Sequence, residues 1–359
     1  MRIKSLNIQN VRILEEASLQ SDASFVYLHG ENGSGKTSVL EAIHLLATGQ
    51  SFRSTQQKNL IQYDKDLLRV RATLTVEDGE QLHNLGIEKS RDGSTQIRHN
   101  QSTVKRVSDL ATLIPLRSVT PDSHAIVSGS PSLRRRYMDW GVFHVEQGVN
   151  FPWREYNRLL AQRNGLLKAA WDENQIRSID AVFSKMGEAI AGAREQYVDR
   201  INQLLPEILD SLDSNISLKI QHSQGWGKGE GFAETLIARR DQCRRFKTTS
   251  VGPHRADLQL LASGKPAREI LSRGQQKILL YALTLAQVTD FHRTRNCHML
   301  MLCDDLQSEL DEVRTQRLTQ LLLEQGHQLF VTGTTVLRPK FDCSKAMFHV
   351  KHGLITQTD

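Results

Sequence analysis

The sequence is poor in aromatic residues and in cysteine, and it contains no long hydrophobic run. Aromatic residues make up 6% of the 359 positions, and none of the four cysteines forms a CxxC pair. This pattern argues against a disulfide framework and a zinc site, and favours reduced thiols in a cytoplasmic protein. No stretch approaches the 18 apolar residues of a membrane span. The N-terminus has no apolar segment typical of a secretory signal. We therefore expect no membrane partner.

The charge balance is mildly basic. Lysine and arginine number 46 against 40 aspartates and glutamates, which gives a net charge of +6. This excess permits a polyanionic partner without requiring one. The length and the 39% of hydrophobic residues suit two or three domains, or one large α/β unit with an attached lobe.

Strand and helix patterns alternate at both ends of the chain, with a mainly helical segment between them. Residues 67–99 predict three short strands in an antiparallel meander. The spacing of apolar residues predicts helices over 153–171 and 175–212, the second interrupted at Pro206. The apolar run 298–303 is typical of a central parallel strand. These patterns predict a split α/β domain with an inserted helical lobe.

A glycine-rich loop lies between a short apolar strand and a helix, and it fits the phosphate-binding pattern GxxxxGK[ST]. Its backbone N–H groups and the helix N-terminus would bind phosphate oxygens. Lys36 would reach the β- and γ-phosphates, and the Thr37 hydroxyl would bind Mg²⁺. A chance glycine turn is the weaker alternative in this context. We therefore predict an ATP and Mg²⁺ site at Gly30, Glu31, Asn32, Gly33, Ser34, Gly35, Lys36, Thr37 and Ser38.

Two carboxylates follow the apolar run 298–303 directly. Asp304 would complete the magnesium site, and Asp305 would polarise the attacking water as a general base. The alternative is a polar strand end that caps the next helix. About 270 residues separate Lys36 from Asp304. If both residues serve one metal ion, a lobe must be inserted between the two halves of the site.

The segment Leu271-Ser-Arg-Gly-Gln-Gln276 precedes a predicted helix. It resembles the LSGGQ signature of ABC-type ATPases. In that family the signature of one subunit contacts the γ-phosphate bound by the other, so the resemblance implies an ATP-dependent homodimer. Ser272, Gly274 and Gln275 are the candidate contacts. Taken alone, the same residues would indicate only a helix cap.

Four further stretches resemble the RecF family of bacterial recombination mediators, which are related to SMC heads. They are Leu6-x-Ile8-x-Asn10-Val11-Arg12, then 49–54, then Pro121-Asp122 with the Gly129 to Trp140 block, and Gly252 to Leu258. The matches run from residue 2 to about residue 335. The resemblance also places Arg12 among the nucleotide-contacting residues.

The resemblance implies an ABC-type P-loop ATPase head with a mixed-sheet lobe, an inserted mainly helical lobe and a short arm. Residues 1–115 and 292–359 would form the ATP-binding lobe, and 116–291 the helical lobe that carries the signature. It further implies slow, DNA-stimulated ATP hydrolysis and binding to duplex DNA or single-strand/double-strand junctions without sequence specificity. The partners would be RecO and RecR, with RecA loaded indirectly. Roles in the SOS response and at replication forks, and a nucleoid-associated location, follow from the same resemblance.

The sequence departs from the general ABC pattern at several positions. Arg273 replaces the first signature glycine, a change that RecF proteins share. Asp305 stands where transporter ATPases carry glutamate, and the shorter carboxylate favours ATP use as a switch. No histidine follows the strand over 328–332, where Thr334 or Thr335 is the candidate for the γ-phosphate contact. No glutamine loop is identified.

Two basic runs are candidates for DNA contact. Residues 134–136 are consecutive arginines, so they cannot share one helix face, and at least one is expected to pair inward, with Asp139 as a candidate. The run 239–247 is as consistent with a solvated helix face as with a phosphate-binding one. His254 and Arg255 are candidates for a contact with nucleotide or with the opposing subunit, and a structural role is equally consistent.

Two other functions compete with a DNA-repair ATPase whose ATP-bound dimer binds DNA. One is an ATP-gated scaffold with little turnover. The other is the ATPase subunit of an ABC transporter. The absence of the switch histidine and of a recognisable glutamine loop disfavours the transporter.

Overall fold

The structure is a computed structural model that describes residues 1–54, 56–76, 81–104, 107–146, 148–169, 172–212, 215–336 and 342–358. The chain divides into two compact units. We call residues 1–123 with 295–359 the discontinuous unit, and residues 124–294 the inserted unit. The sequence predicts boundaries after residues 115 and 291, whereas the structure divides after residues 123 and 294. Residues 116–119 form a strand in a sheet of the discontinuous unit, so the first division falls eight residues later.

The strands, in chain order, are β1 (Arg2–Val11), β2 (Leu14–Gln20), β3 (Phe25–His29), β4 (Leu67–Val76), β5 (Gln81–Ser90), β6 (Thr95–His99), β7 (Ser102–Thr103), β8 (Leu116–Val119), β9 (Leu218–Ser223), β10 (Asp257–Ala262), β11 (Lys265–Pro266), β12 (Leu300–Cys303), β13 (Gln328–Gly333), β14 (Lys345–Lys351) and β15 (Leu354–Thr358). The helices are α1 (Lys36–Thr48), α2 (Val107–Leu113), α3 (Ala125–Ser128), α4 (Pro131–Val145), α5 (Asn150–Lys168), α6 (Glu173–Ser211), α7 (Phe232–Ala238), α8 (Arg240–Phe246), α9 (Ala267–Ile270), α10 (Arg273–Arg295), α11 (Leu306–Glu309) and α12 (Glu312–Glu324).

The discontinuous unit contains two six-stranded sheets that share one hydrophobic core. The antiparallel sheet has the order β2-β1-β4-β5-β6-β7, and its consecutive strands β4, β5 and β6 confirm the predicted meander. Alternate residues of β4 such as Val70 and Ala72 are buried, whereas their neighbours Arg69, Arg71 and Thr73 are polar. Helix α1 packs against this buried face and also against the second sheet.

The second sheet has the order β15-β14-β3-β13-β12-β8 and is parallel except for β15. Every residue of β3, β12 and β13 is buried, which explains the apolar runs Phe25–Leu28, Leu300–Cys303 and Leu329–Val331. The carboxyl ends of parallel strands meet at one edge of the sheet. The segments that follow β3, β12 and β13 are therefore neighbours in space.

The inserted unit is mainly helical, with a small sheet of order β11-β10-β9. Its helix α6 has 39 residues, a length of about 58 Å at 1.5 Å per residue. The helix begins at Asp172, whose carboxylate accepts hydrogen bonds from the N–H groups of Asn174 and Gln175. It continues through Pro206, although the proline predicts an interruption there. Burial of neighbouring residues, Leu204, Leu205, Ile208 and Leu209, offsets the missing proline hydrogen bond.

No helix in the described part of the chain is both long enough and apolar enough to cross a membrane.

Candidate nucleotide site

The loop between β3 and α1 has a backbone that only glycine adopts readily. Gly30, Gly33 and Gly35 have φ angles of 150°, 80° and 116°. A Cβ on Gly30 would lie 2.2 Å from the carbonyl oxygen of Val350 on β14. The N–H of Gly353 also donates to the carbonyl of Ser34 at 2.9 Å. The C-terminal strand pair therefore forms one wall of the loop.

Lys36 lies within this loop. Its ammonium donates to the carbonyl oxygens of Gly30 at 2.7 Å and Glu31 at 2.8 Å, and the residue is 8% exposed. Burial lowers the pKa of Lys36, and the carboxylates of Asp305 and Asp304 oppose that shift. The positive charge of Lys36 is therefore offset by Asp304 and Asp305, the two carboxylates that follow β12.

Asp304 is the centre of a hydrogen-bond network that joins three segments. Thr37 donates to its two carboxylate oxygens at 3.0 and 3.1 Å, and Thr332 donates to Oδ1 at 2.7 Å. Burial raises the pKa of Asp304, while these two hydroxyl donors lower it. The structure therefore brings together Thr37 and Asp304, the two predicted metal ligands.

Asp305 follows with a left-handed backbone, φ 53°, at the start of α11. Its N–H donates to the Thr332 hydroxyl at 2.8 Å. This turn places consecutive carboxylates at one cleft. The cleft has a volume of about 450 Å³ and is lined by Arg12, Ile13, Asn32, Gly33, Ser34, Gly35, Lys36, Thr37, Ser38, Arg53, Pro121, Asp304, Asp305 and Thr332.

Arg12 reaches the cleft with a guanidinium that is already bound. Its Nε and Nη2 donate to the two oxygens of buried Glu41 at 3.0 and 2.9 Å, and Nη1 donates to the carbonyl of Asn59. The Ser51 hydroxyl also donates to Glu41. This bidentate pair fixes the side chain of Arg12 at the rim of the cleft.

Sequence analysis missed Thr332 and Arg53 at this site. Thr332 lies beside Asp304 because β13 is the neighbour of β12, a pairing that no local pattern reveals. Arg53 lines the cleft, and its charge lowers the pKa of Asp304. The polar residue at the end of an apolar strand was the available signal for Thr332. Of the candidates proposed instead, Thr335 donates to the Gln307 side chain at 3.1 Å.

The residues present fit Mg²⁺ and a triphosphate. A threonine hydroxyl and one carboxylate suit Mg²⁺, which usually keeps several waters and takes further oxygens from phosphates. The buried Ser34 hydroxyl has no hydrogen-bond partner within the described residues, and the Gly30 backbone leaves no room for a side chain. Across those same residues, no group of three or more His, Cys, Asp or Glu is placed to hold a metal ion. Thr37 and Asp304 therefore suit a metal ion that takes its other ligands from phosphate oxygens and water.

The signature-like segment forms a helix start in the inserted unit. The N–H of Ser272 donates to Oε1 of Gln275 at 2.9 Å, and the N–H of Gln275 donates to the Ser272 hydroxyl at 3.3 Å. This reciprocal pair is a capping box at the N-terminus of α10. Ser272, Gly274 and Gln275 are exposed. The same geometry serves as a cap and presents a hydroxyl and a helix N-terminus to solvent.

The basic runs differ in their surroundings. Arg134 is buried and forms a bidentate pair with Asp257 at 2.8 and 3.0 Å, which confirms that one arginine of the first run pairs inward, although its partner is not Asp139. Asp139 instead accepts from Arg194 at 2.7 and 3.0 Å. Arg136 is exposed. In the second run the exposed basic residues are Arg239, Arg244, Arg245 and Lys247.

His254 is bound on both ring nitrogens. Nδ1 lies 2.7 Å from the Tyr156 hydroxyl, and Nε2 lies 3.0 Å from the carbonyl of Thr249. Burial lowers the pKa of His254 to about 4. Both nitrogens are therefore used inside the unit, which supports the structural alternative.

Comparison with known proteins gives matches over nearly the whole chain. The family described as RecF/RecN/SMC N terminal domain matches residues 2–354. The DNA replication and repair protein RecF of Shewanella oneidensis is 35% identical over 359 residues, 99% of each chain. The same-named protein of Shewanella frigidimarina is 36% identical over the same length and the same share of each chain.

Solved structures give the same result for the fold. A structure of the recombination mediator protein RecF with ATP, in the RecFOR pathway, matches with a TM-score of 0.89 at 24% identity, over 100% of this chain and 98% of that one. An Smc head bound to the C-winged helix domain of ScpA matches with a TM-score of 0.58 at 16% identity, over 100% and 98% of the two chains. These matches confirm the predicted fold class, the ABC-type ATPase head.

Proposed function

This chain belongs to the RecF family of DNA replication and repair proteins, and from that premise we propose that it is an ATPase that acts on DNA in recombinational repair and replication-gap processing. The observation that supports this most directly is the cleft where Thr37, Asp304 and Thr332 meet beside the glycine loop. A RecF structure with bound ATP, 24% identical to this chain, has the same fold.

Each residue of the cleft has a chemical role in this proposal. Lys36 and the loop N–H groups bind the β- and γ-phosphates, and Thr37 and Asp304 hold Mg²⁺, which neutralises phosphate charge. Asp305 orients and polarises the attacking water. Its carboxylate is one methylene shorter than that of glutamate, so we expect slow turnover, with ATP acting as a switch.

The exposed cap at Ser272 would supply the second half of the site in a homodimer. Its hydroxyl, the Gly274 N–H group, the Gln275 side-chain amide and the positive end of α10 form an anion-binding surface. In this proposal the surface binds the γ-phosphate on the partner subunit, so ATP stabilises the dimer.

The dimer would bind duplex DNA and single-strand/double-strand junctions through the phosphate backbone, without reading sequence. RecR and RecO are the proposed protein partners, with RecA loading as the result, because a similar RecF protein is described in the RecFOR pathway. A cytoplasmic location at the nucleoid follows from these partners.

The test measures ATP turnover and dimer formation with and without gapped duplex DNA, at two salt concentrations. Wild type should hydrolyse ATP slowly, respond to DNA, and lose DNA affinity as salt rises. Lys36→Met should abolish ATP-driven dimerisation, because it removes the phosphate-binding cation. Ser272→Arg should bind ATP normally but stay monomeric.

The alternatives give different results in the same assays. Nucleotide binding without turnover, and without any effect of DNA, would favour the ATP-gated scaffold. Co-sedimentation with membranes would favour a transporter subunit. Normal ATP-dependent dimers from Ser272→Arg would refute the role of the signature segment in the partner's site.

A further inference from the structure

The antiparallel sheet of the discontinuous unit has one buried face and one polar face. We call the face opposite α1 the outer face. Strand register places polar side chains along it, with no large apolar residue at the positions near its centre. From β1 to β6 these residues are Asn7, Gln9, Arg69, Arg71, Thr73, Asn84, Glu88, Gln96 and Arg98.

Gly86 lies at the centre of the outer face, in the interior of β5. Its φ lies outside the left-handed region, so the backbone does not require glycine. A Cβ there would meet only Cγ of Arg71 at 3.7 Å and the carbonyl oxygen of Val70 at 3.9 Å, which are ordinary contacts. Neither packing nor backbone geometry explains the glycine. A strand glycine of this kind often marks close approach of a ligand.

Two exposed arginines flank Gly86. Strand register pairs Arg71 with Gly86 on one side and Arg98 with Gly86 on the other. Adjacent strands are about 4.8 Å apart, so the two backbone positions are about 10 Å apart across the glycine. Within the described residues, neither guanidinium has a hydrogen bond or an ion pair. Two positive charges are therefore uncompensated at this point.

The remaining charges near Gly86 cancel. Arg69 is paired with Glu88, its direct cross-strand neighbour. Glu16 lies on β2, three strands from β5. The missing side chain at Gly86 leaves a cavity of about 240 Å³, lined by Arg69, Arg71, Gly86, Ile87, Glu88, Gln96 and Arg98, in which Arg69 offsets the charge of Glu88.

We propose that Arg71 and Arg98 form a phosphate-binding site over Gly86, and that its ligand is the DNA backbone. Arginine guanidinium groups bind phosphate in a bidentate manner, and this geometry does not depend on base sequence. The open outer face, with its amide and hydroxyl side chains, can lie against a long polyanion rather than enclose a small one. This inference rests on the proposed DNA-binding function.

The main test is the salt dependence of binding of the full-length protein to a gapped duplex. Each phosphate contact contributes about 0.9 to the slope of log K against log salt. Arg71→Gln with Arg98→Gln should therefore lower the slope by about 1.8. As a result, the affinity gap between wild type and variant should narrow roughly tenfold between 50 and 200 mM salt.

A second variant fills the cavity over Gly86 and leaves the charges of Arg71 and Arg98 unchanged. Gly86→Thr would fill the cavity with a residue that favours strands, so the melting temperature should stay the same or rise. DNA affinity should nevertheless fall, because the side chain stands between the guanidinium groups. A stable Gly86→Thr protein with wild-type DNA affinity would overturn the proposal.

The matched control removes the same charge elsewhere. Arg158 and Arg177 are exposed helix residues, each paired with a glutamate. Arg158→Gln with Arg177→Gln should leave the salt slope unchanged. If it lowers the slope as much as the Arg71/Arg98 variant, the effect is general electrostatics and the site is refuted.

Competition with inorganic phosphate distinguishes a site for the phosphates of the DNA backbone from a site for free phosphate. At constant ionic strength, phosphate should compete with DNA more strongly in wild type than in the Arg71/Arg98 variant. Phosphate binding with no effect of the variant on DNA would refute the DNA assignment. If wild type binds no DNA at any salt concentration, the proposed function itself fails.

Discussion

Thr332 donates a 2.7 Å hydrogen bond to Oδ1 of Asp304 across the adjacent ends of β13 and β12. The same hydroxyl accepts the N–H of Asp305 at 2.8 Å. One side chain therefore positions both acidic residues of the cleft. Because it favours the ionised form of Asp304, it supports the state that binds a metal ion.

Thr332→Val should weaken the response to Mg²⁺. The substitution keeps the shape of the side chain but removes the donor to a buried carboxylate, an interaction of about 1.5 kcal/mol. We expect the Mg²⁺ concentration for half-maximal ATPase activity to rise about tenfold. Thr103→Val is the control, because it makes the same chemical change at an exposed residue of β7 that does not line the cleft. Equal Mg²⁺ curves for both variants would contradict the positioning role.

Ser272→Asp should separate capping from phosphate recognition. Aspartate caps a helix about as well as serine, so stability should change by less than about 0.5 kcal/mol. Its negative charge would repel a γ-phosphate. We expect a stable protein that fails to dimerise with ATP by size-exclusion chromatography. Ser272→Ala is the complementary control, since it should lose about 1 kcal/mol of stability without adding repulsion. Dimers of Ser272→Asp would show that the segment is only a cap.

Arg134→Met should destabilise the inserted unit, whereas Arg136→Met should not. Arg134 is buried and holds Asp257 in a bidentate pair, and its removal leaves that carboxylate without its partner. We expect a loss of about 2–3 kcal/mol in urea unfolding. Arg136 is exposed, so its replacement should change stability by less than about 0.5 kcal/mol. Equal stabilities would contradict the structural role of Arg134.

His254 should make stability depend on pH. Burial lowers its pKa to about 4 from the ordinary value of 6.5. The neutral ring therefore stabilises the fold above pH 6.5, and this contribution is lost as pH falls toward 4. Between pH 7 and 4.5 the His254→Gln variant should lose about 2 kcal/mol less stability than wild type in urea unfolding. His222, whose pKa burial also lowers to about 4, stays in both proteins. Equal losses of stability in wild type and His254→Gln between pH 7 and 4.5 would refute the contribution of His254.

The parts of the site that the sequence predicts are those with a local cause. The glycine loop is recognisable because strand, loop and helix follow one another, and Asp304 because it ends a continuous apolar strand. Thr332 was missed because its role depends on the order of strands in the sheet, which segments far apart in sequence determine. Asp257 was missed as the partner of Arg134 for the same reason. Asp139 is near in sequence, but β10 places Asp257 beside the arginine.

At Pro206 a local rule predicts a feature, a helix break, that the structure does not contain. Proline removes one helical hydrogen bond and predicts a break. Helix α6 continues because apolar residues on both sides of Pro206 are buried, and their burial outweighs one missing bond.

The wall that β14 and Gly353 form beside the glycine loop has a consequence for biosynthesis. Ser34 and Gly353 are more than 300 residues apart in the chain, and they are joined by a backbone hydrogen bond. A nascent chain that already contains the whole GxxxxGKT sequence still lacks one side of that loop until residue 353 has left the ribosome. The glycine loop is therefore complete only after the strand pair β14–β15 has been synthesised and has paired beside β3.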